Sequence, residues 1–311
     1  MEGWPALKSA SGGLVLGLDI GGTKLAGGVV SPGGQLLARR ERPSRAAEGL
    51  EASLGAIYAM LEELAQTGAV EGIGICAPGP LDPRTGVIFN PTNMPGWVNV
   101  PLAEQVERRF RLPCRVENDA NGAGLGEAIF GAGRGFSSVF YATLSTGIGT
   151  GIILDGRVYH GKSGAAGEGG HVSIDYRSAA VCNCGNSGCI ETLASGTAIA
   201  RRASQIFGPS ATAETVAGAA AAGDPRAARF LEETGEMLGA WLGSVISLLD
   251  PDIIILGGGV SKIGEPLLRP IRQTAPRRTI NPFAAQTPIV AAELGDDAGI
   301  LGAAALFHAR P

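Results

Sequence analysis

Several features that often reveal function are absent from this sequence of 311 residues. No apolar run approaches the roughly 20 residues needed to cross a bilayer, and the first 13 residues lack the apolar core of a signal peptide. Basic residues do not exceed acidic ones, since 25 Lys and Arg stand against 29 Asp and Glu. A nucleic-acid surface normally carries a basic stripe. We therefore expect a cytoplasmic protein that binds neither nucleic acid nor membrane.

The phosphate-binding pattern G-x-x-x-x-G-K-[ST] and a collagen G-X-Y period are also missing. Glycine is nevertheless abundant, because 49 glycines make up about 16% of the chain against an average near 7%. Many tight turns and close backbone approaches are expected. Cysteine is scarce and odd in number, and three of the five cysteines lie within eight positions. This clustering favours a metal site in a reducing compartment over a disulfide framework.

Short apolar strands alternate with amphipathic helices, which is typical of the α/β class. Strands predicted over 14–19, 24–30 and 35–42 are joined by turns so short that they must be antiparallel neighbours. A leucine-rich spacing of 4, 3, 4 and 3 from Leu50 predicts a helix. A strand, a glycine-rich turn and another strand occur again from Val139, as they do around Asp19. This repeat indicates a duplicated architecture with one such hairpin per domain.

The first glycine-rich turn, Asp19–Lys24, has two glycines that let backbone N–H groups approach an anion, and Thr23 adds a hydroxyl donor. Asp19 is placed to hold Mg²⁺ through water. By itself the turn is more simply a β-hairpin with a capping aspartate. The run Ser145–Gly149 is a second phosphate cradle of the same design. Gly257–Gly259 either lets a flat ligand such as adenine lie on the backbone or is a simple strand-to-helix turn.

The run Glu117–Asn121 ends a predicted strand and precedes a small-residue helix predicted over 122–130. An acid at a strand tip is well placed to accept a proton. Asn-Asp is more commonly a helix N-cap, and position alone does not decide between the two.

Three thiols and one histidine form the strongest local signal, which consists of His171, Cys182, Cys184 and Cys189. Three cysteines and one histidine make a closed tetrahedral zinc set with no open position for catalysis. We expect a structural zinc that pins the loop carrying Glu168 and Glu191, rather than free thiols.

Together these motifs resemble the ROK family of sugar kinases and repressors, over residues 14–306. The resemblance rests on the Asp19–Lys24 turn, Glu117-Asn118-Asp119, Glu168-x-Gly170-His171 and the cysteine pattern ending at Glu191. It implies two ribonuclease-H-like (actin-like ATPase) α/β domains with a cleft between them and a structural zinc loop. The expected divisions are a disordered leader (1–13), an N-terminal domain (14–121 plus 296–311) and a C-terminal domain (122–295).

The resemblance also implies ATP-dependent phosphorylation of a hexose, with glucose favoured, by a homodimer or homotetramer that uses Mg²⁺ and a structural Zn²⁺. Asp119 would be the general base, and Asp19 would hold Mg²⁺ through water. The residues implied in sugar binding are Gly79, Asn93, Asn118, Asp119, Glu168, His171 and Glu191. Those implied in ATP or phosphate binding are Gly21, Gly22, Thr23, Lys24, Thr146, Gly147, Gly257 and Gly258. Zinc would bind His171, Cys182, Cys184 and Cys189.

Four alternatives accompany this expectation. The sugar could be N-acetylmannosamine, N-acetylglucosamine, mannose or fructose, because discrimination between hexoses rests on loop geometry. A sugar-binding sensor without catalysis is a second alternative, against which Asp119 and the two phosphate turns argue. A repressor is disfavoured, because 13 residues before the first strand are too few for a helix-turn-helix. ATP is favoured over polyphosphate as donor, because polyphosphate users in the family generally lack the zinc cysteines.

Overall fold

The computed structural model describes residues 12–308. The predicted disordered leader lies outside these residues, apart from its last two positions. In chain order the strands and helices are β1 (Leu14–Ile20), β2 (Lys24–Val30), β3 (Leu36–Pro43), α1 (Leu50–Ala65), β4 (Val70–Ala77), β5 (Leu81–Asp82), β6 (Val87–Ile88), β7 (Val100–Pro101), α2 (Leu102–Phe110), β8 (Cys114–Asn118), α3 (Asp119–Phe130), β9 (Ser138–Leu144), β10 (Ile148–Leu154), β11 (Arg157–Val158), α4 (Ile190–Ala194), α5 (Gly196–Phe207), α6 (Ala213–Ala221), α7 (Pro225–Leu249), β12 (Ile253–Gly257), α8 (Glu265–Thr274), β13 (Ile289–Ala291) and α9 (Ala298–Ala305).

Contacts divide the described chain into two compact units. The first unit contains the chain up to Ser137, Gly151–Ala166 and the chain from Glu293 onward. The second unit contains Ser138–Thr150 and Gly167–Ala292. The predicted domain bounds stay a prediction, and the compact units differ from them in three places. The segments 122–137, 151–166 and 293–295 belong to the first unit.

The first unit is built on a five-stranded sheet with the strand order β3-β2-β1-β4-β8. The first three strands are antiparallel, as predicted from their short turns, whereas β1, β4 and β8 are parallel. On one face, α1 buries the leucine-rich stripe predicted from its spacing, including Leu54, Ile57 and Leu61. Burial of each such side chain stabilises the fold by about 1.5–3 kcal/mol.

The other face of this sheet carries glycines where α9 lies against it. A β-carbon built at Gly17 or Gly74 would overlap the backbone of α9 at Ile300 or Ala303. Helix α3 meets α9 in the same way, since a β-carbon at Gly126 would lie 2.8 Å from Gly302 N. These close approaches account for part of the glycine excess, because only glycine lets two backbones come so near.

A second five-stranded sheet has the order β11-β10-β9-β12-β13. The second unit holds β9, β12, β13 and the first three residues of β10. Strands β9, β12 and β13 are parallel. In both sheets the strands, numbered in chain order within the sheet, lie in the order 3-2-1-4-5. The predicted duplication and the α/β class are therefore confirmed. Among residues 12–308, no helix combines the length and apolarity that a bilayer crossing requires.

Candidate active site

The junction between β8 and α3 carries two predicted site residues. Asn118 has extended backbone (ψ 143°) and caps α3, since its Oδ1 accepts from Ala120 N at 3.0 Å and Asn121 N at 3.3 Å. This cap starts α3 at Asp119, three residues earlier than the predicted helix at 122. Asp119 is exposed at the first helical position. Asn118 therefore occupies the cap position, and Asp119 presents an exposed carboxylate whose Oδ1 also accepts from Ala120 N at 2.8 Å.

Gly79 lies beside Asn118 in the first unit. A β-carbon at Gly79 would lie 3.4 Å from Asn118 Nδ2, and Gly79 precedes a cis proline, Pro80. The structure thus brings together two of the predicted sugar-binding residues. Because Oδ1 of Asn118 serves the cap, its Nδ2 donor is the atom directed toward Gly79.

Asp19 occupies the end of β1, in a row with two other polar positions of the sheet. In the strand register, Asp19 pairs with Cys76 of β4, and Cys76 pairs with Glu117 of β8. Burial and the nearby charge of Asp119 raise the pKa of Asp19 to about 6, while Lys24 opposes the shift. Burial, together with the carboxylates of Asp19, Glu117 and Asp119, raises the pKa of the Cys76 thiol well above its ordinary value. The tip of this sheet is therefore a crowded acidic site.

The turn between β1 and β2 uses part of its backbone within the hairpin. Gly21 N donates to Lys24 O at 2.8 Å, and Lys24 Nζ lies 3.3 Å from Glu41 Oε2. Gly22 packs against Asn93, because a β-carbon there would lie 3.1 Å from Asn93 O. The predicted phosphate turn and the predicted sugar loop are thus in contact.

The second glycine-rich turn, between β9 and β10, is held by Glu191 and by the start of α5. Glu191 Oε2 accepts from Ile148 N at 2.9 Å, and a β-carbon at Gly147 would lie 2.5 Å from the same oxygen. Thr197 Oγ1 donates to Thr146 O at 2.9 Å. One predicted sugar-binding residue is therefore fixed against the predicted phosphate turn of the second unit.

The turn after β12 is close to the end of β9. Gly258 has φ +83° and packs against the Leu144 carbonyl with no room for a β-carbon. Gly258 O accepts a hydrogen bond from Ser261 Oγ at 2.7 Å. Packing alone accounts for glycine at 258, so adenine binding at Gly257 and Gly258 stays a prediction.

The predicted zinc ligands are gathered at one point of the second unit. The ligand atoms of His171, Cys182, Cys184 and Cys189 all lie within 4.8 Å of one another. Cys182 Sγ is 3.4 Å from His171 Nδ1, and Cys184 Sγ is 3.7 Å from Cys189 Sγ.

The distances of 3.4 Å from Cys182 to His171 and 3.7 Å from Cys184 to Cys189 match two edges of a zinc tetrahedron. With Zn–S near 2.3 Å and Zn–N near 2.05 Å, the S···N and S···S edges are about 3.6 and 3.8 Å. A backbone N–H from Asn186 lowers the pKa of Cys184 to about 7, which favours the thiolate that zinc requires. The donor set fits a structural zinc.

The remaining predicted sugar ligands flank this cluster. Nδ1 of His171 faces the thiols, so its other nitrogen, Nε2, is turned elsewhere and lies 3.9 Å from Glu168 Oε2. Glu168 is exposed. Its loop is tied to β10, since Gly169 N donates to Thr150 Oγ1 at 2.9 Å and Gly170 packs against the Ile148 backbone. A metal on His171 would therefore orient the neighbourhood of Glu168.

Three residues of the first unit that contact the site or its neighbours were not identified from the sequence. His160 Nε2 lies 2.6 Å from Glu117 Oε2. A β-carbon at Gly299 would lie 2.5 Å from the Asp19 carboxyl carbon. Ser44, fully buried, donates from its hydroxyl to Gly22 O at 2.8 Å. Only His160 had a visible signal, because the chain has just three histidines.

The predicted site residues thus fall into two groups, each gathered within its own unit. The first unit holds Asp19, Gly21, Gly22, Thr23, Lys24, Gly79, Asn93, Asn118 and Asp119. The second unit holds Thr146, Gly147, Glu168, His171, Cys182, Cys184, Cys189, Glu191, Gly257 and Gly258.

Comparison with known proteins gives these groups a context. A glucokinase from Thermotoga maritima is 34% identical over 310 residues, covering 95% of this chain and 98% of that protein. The crystal structure of a ROK hexokinase from Thermus thermophilus superimposes with a TM-score of 0.82 at 37% identity, covering 94% of this chain and 97% of that one. A ROK family glucokinase from Streptomyces griseus, solved with glucose and AMPPNP, gives 0.80 at 37% identity, covering 94% and 99%. The model of the ROK family matches residues 15–310, and this chain belongs to that family.

Proposed function

We propose that the protein transfers the γ-phosphoryl group of ATP to the 6-hydroxyl of glucose. Relatives named glucokinase, matched over nearly their whole length, support the reaction class. The solved relative that holds glucose and AMPPNP supports the pair of substrates. The enzyme is therefore assigned as a glucokinase-type phosphotransferase.

The observation that carries the proposal is the pair of carboxylates at the tip of the first sheet. Asp119 is exposed, and its charge contributes to the raised pKa of Asp19. Phosphoryl transfer requires a base for the attacking hydroxyl and a group that places a metal on the phosphates. Two adjacent carboxylates in different surroundings supply these two roles.

In this mechanism Asp119 accepts the proton of the sugar 6-hydroxyl as the oxygen attacks phosphorus. Asn118 Nδ2 and the backbone at Gly79 hold the sugar, while Asn118 Oδ1 keeps α3 capped so that Asp119 does not move. Asp19 would hold hydrated Mg²⁺, which neutralises charge on the phosphates. Glu168, His171 and Glu191 are proposed to bind further sugar hydroxyls, because carboxylates and imidazole give directional acceptors and donors.

The phosphate contacts are proposed at both glycine-rich turns. Gly22, Thr23 and Gly147 carry them most directly, since backbone N–H groups in such turns form anion-binding concavities. Gly21, Lys24, Thr146, Gly257 and Gly258 complete the proposed set. The structural zinc, the cytoplasmic location and a homodimer or homotetramer remain predictions.

The test is release of ADP with MgATP across glucose, mannose, fructose, N-acetylglucosamine and N-acetylmannosamine. Turnover on glucose is expected, and 6-deoxyglucose should bind competitively without turnover because it lacks the attacking hydroxyl. Asp119→Asn should keep glucose binding, measured by titration calorimetry, and lose turnover by about 10²- to 10⁴-fold. Turnover on another hexose would change the substrate and keep the mechanism. Binding without turnover on any sugar would instead make the protein a sensor.

A further inference from the structure

The side chain of Glu117 is buried at the end of β8 and is absent from the mechanism above. It is only 3% exposed. One oxygen, Oε1, accepts from Asn118 N at 2.9 Å and from Asn121 Nδ2 at 3.1 Å. The other, Oε2, lies 2.6 Å from His160 Nε2. A buried carboxylate is expensive unless its oxygens are satisfied, and these three donors satisfy it.

Two of these donors, Asn118 N and Asn121 Nδ2, come from opposite sides of the β8–α3 junction. Asn118 is the cap of α3, and Asn121 lies in its first turn. Asp119 is located between them. The carboxylate of Glu117 therefore joins the last strand residue to the first helical turn, on either side of the proposed base in the chain.

His160 reaches this junction from a different part of the first unit. It follows β11, where Tyr159 N donates to Ile152 O at 2.8 Å and ties this segment to β10. The His160 carbonyl accepts from Ala166 N at 3.1 Å, and its side chain is 13% exposed. These backbone hydrogen bonds fix the position of His160 in the chain. The hydrogen bond between its imidazole and the Glu117 carboxylate is of the stronger, charge-assisted kind.

Glu127, in α3, is a buried glutamate whose contacts are purely structural. It is fully buried, and its Oε1 accepts from Leu294 N at 2.8 Å, while its Oε2 accepts from Ala132 N at 3.0 Å. These contacts fix the far end of α3, remote from Asp119. Glu117 differs because two of its partners, Asn118 and Asn121, flank the proposed base in the chain.

We propose that Glu117 and His160 form a positioning pair that holds the Asn118–Asp119 junction in the geometry needed for proton abstraction. This inference rests on the proposed function, because its benefit is realised at Asp119. It assigns a role to a histidine that is neither a predicted zinc ligand nor a predicted sugar ligand.

The test combines kinetics with amide hydrogen exchange on the full-length enzyme. Glu117→Gln removes the charge and keeps the shape. His160→Phe removes the donor, whereas His160→Gln keeps an amide donor near the position of Nε2. Glu127→Gln is the matched control.

Glu117→Gln and His160→Phe should lower kcat by about 10- to 100-fold, as for a misplacement of about 1 Å, with KM for MgATP unchanged. His160→Gln should recover part of this loss. Exchange should rise over residues 114–125 in the first two variants. In Glu127→Gln it should rise only near the end of α3, with kcat within about twofold of the parent enzyme. Added to Asp119→Asn, Glu117→Gln should cause no further loss, since both changes act on the same step.

Two results would overturn the proposal. Unchanged exchange over residues 114–125 would show that the pair does not hold the junction, whether or not the enzyme turns over. Full additivity with Asp119→Asn would show that the pair does not act through the base. Absence of turnover in the parent enzyme would instead refute the proposed function, and the exchange measurement would still decide whether the pair holds the junction. Should Glu117→Gln fail to fold, the two His160 variants carry the same test.

Discussion

The contact between α3 and α9 predicts different effects for the same substitution at two helical glycines. A β-carbon at Gly126 in α3 would lie 2.8 Å from Gly302 N and 2.9 Å from Gly302 Cα of α9. An ordinary contact begins at 3.4 Å, so the α9 backbone would have to recede by about 0.6 Å. At Gly55 in α1, a β-carbon would meet nothing within 4 Å. Gly126→Ala and Gly55→Ala therefore share the change in helix propensity and differ in packing.

The magnitudes follow from these two terms. Replacing an interior helical glycine by alanine stabilises by about 1 kcal/mol through propensity. Overpacking against backbone costs about 1–3 kcal/mol. Gly55→Ala should raise the free energy of unfolding by about 1 kcal/mol, and Gly126→Ala should fall below Gly55→Ala by about 1–3 kcal/mol.

Thermal unfolding followed by calorimetry measures this difference. At roughly 2–4 °C per kcal/mol for an unfolding unit of 150–250 residues, a range that includes the first unit, which holds both glycines, the melting temperatures of the two variants should differ by about 2–12 °C, with Gly55→Ala the higher. Urea unfolding gives an independent check on the sign. Equal melting temperatures would refute the argument that backbone contact, rather than helix propensity, explains glycine at 126.

Three further predictions concern the site. Cys184→Ser should release about one zinc per chain and raise KM for glucose, because His171 loses the metal that orients it. The control is Cys114→Ser, which changes a buried cysteine outside the cluster. A parent protein without zinc would contradict the prediction. The raised pKa of Asp19 predicts that kcat/KM for MgATP falls as pH drops below about 6, where the carboxylate becomes protonated. Lys24→Gln should move that limb to higher pH, and a limb that stays in place would argue against Asp19 as its source. Gly299→Ala should push the Asp19 carboxylate aside and lower kcat/KM for MgATP by about 10- to 100-fold, whereas unchanged kinetics would mean that Asp19 does not place the metal.

Local patterns predicted the elements of this protein well, because their causes lie within a few residues. The strand predicted over 24–30 is β2, and the leucine spacing from Leu50 gave α1. Where a cap decided the bounds, the prediction was less accurate. Helix α3 begins at Asp119, three residues before the predicted start, because Asn118 supplies the hydrogen bonds that cap it.

The site was predicted only as far as its motifs reach. The four zinc ligands lie within 19 positions of one another in the sequence, so their spacing carried the signal, and the structure gathers them. The bond between Glu117 and His160 spans 43 positions, and Gly299 meets Asp19 from the other end of the chain. Such contacts are set by tertiary packing, which single-sequence patterns do not contain.

The position of α9 affects how the protein is made. The ribosome releases β1 through β8 first, at about 5–20 residues per second, but the helix that covers their glycine-bearing face is encoded near residue 300. Until it emerges, the bare backbone of Gly17 and Gly74 lacks its partner. The second unit, Ser138–Thr150 and Gly167–Ala292, emerges in the interval, before the last helix of the first. A nascent chain halted before Ala298 would therefore contain every segment of the second unit and an unfinished first one, and it would be a natural target for chaperones.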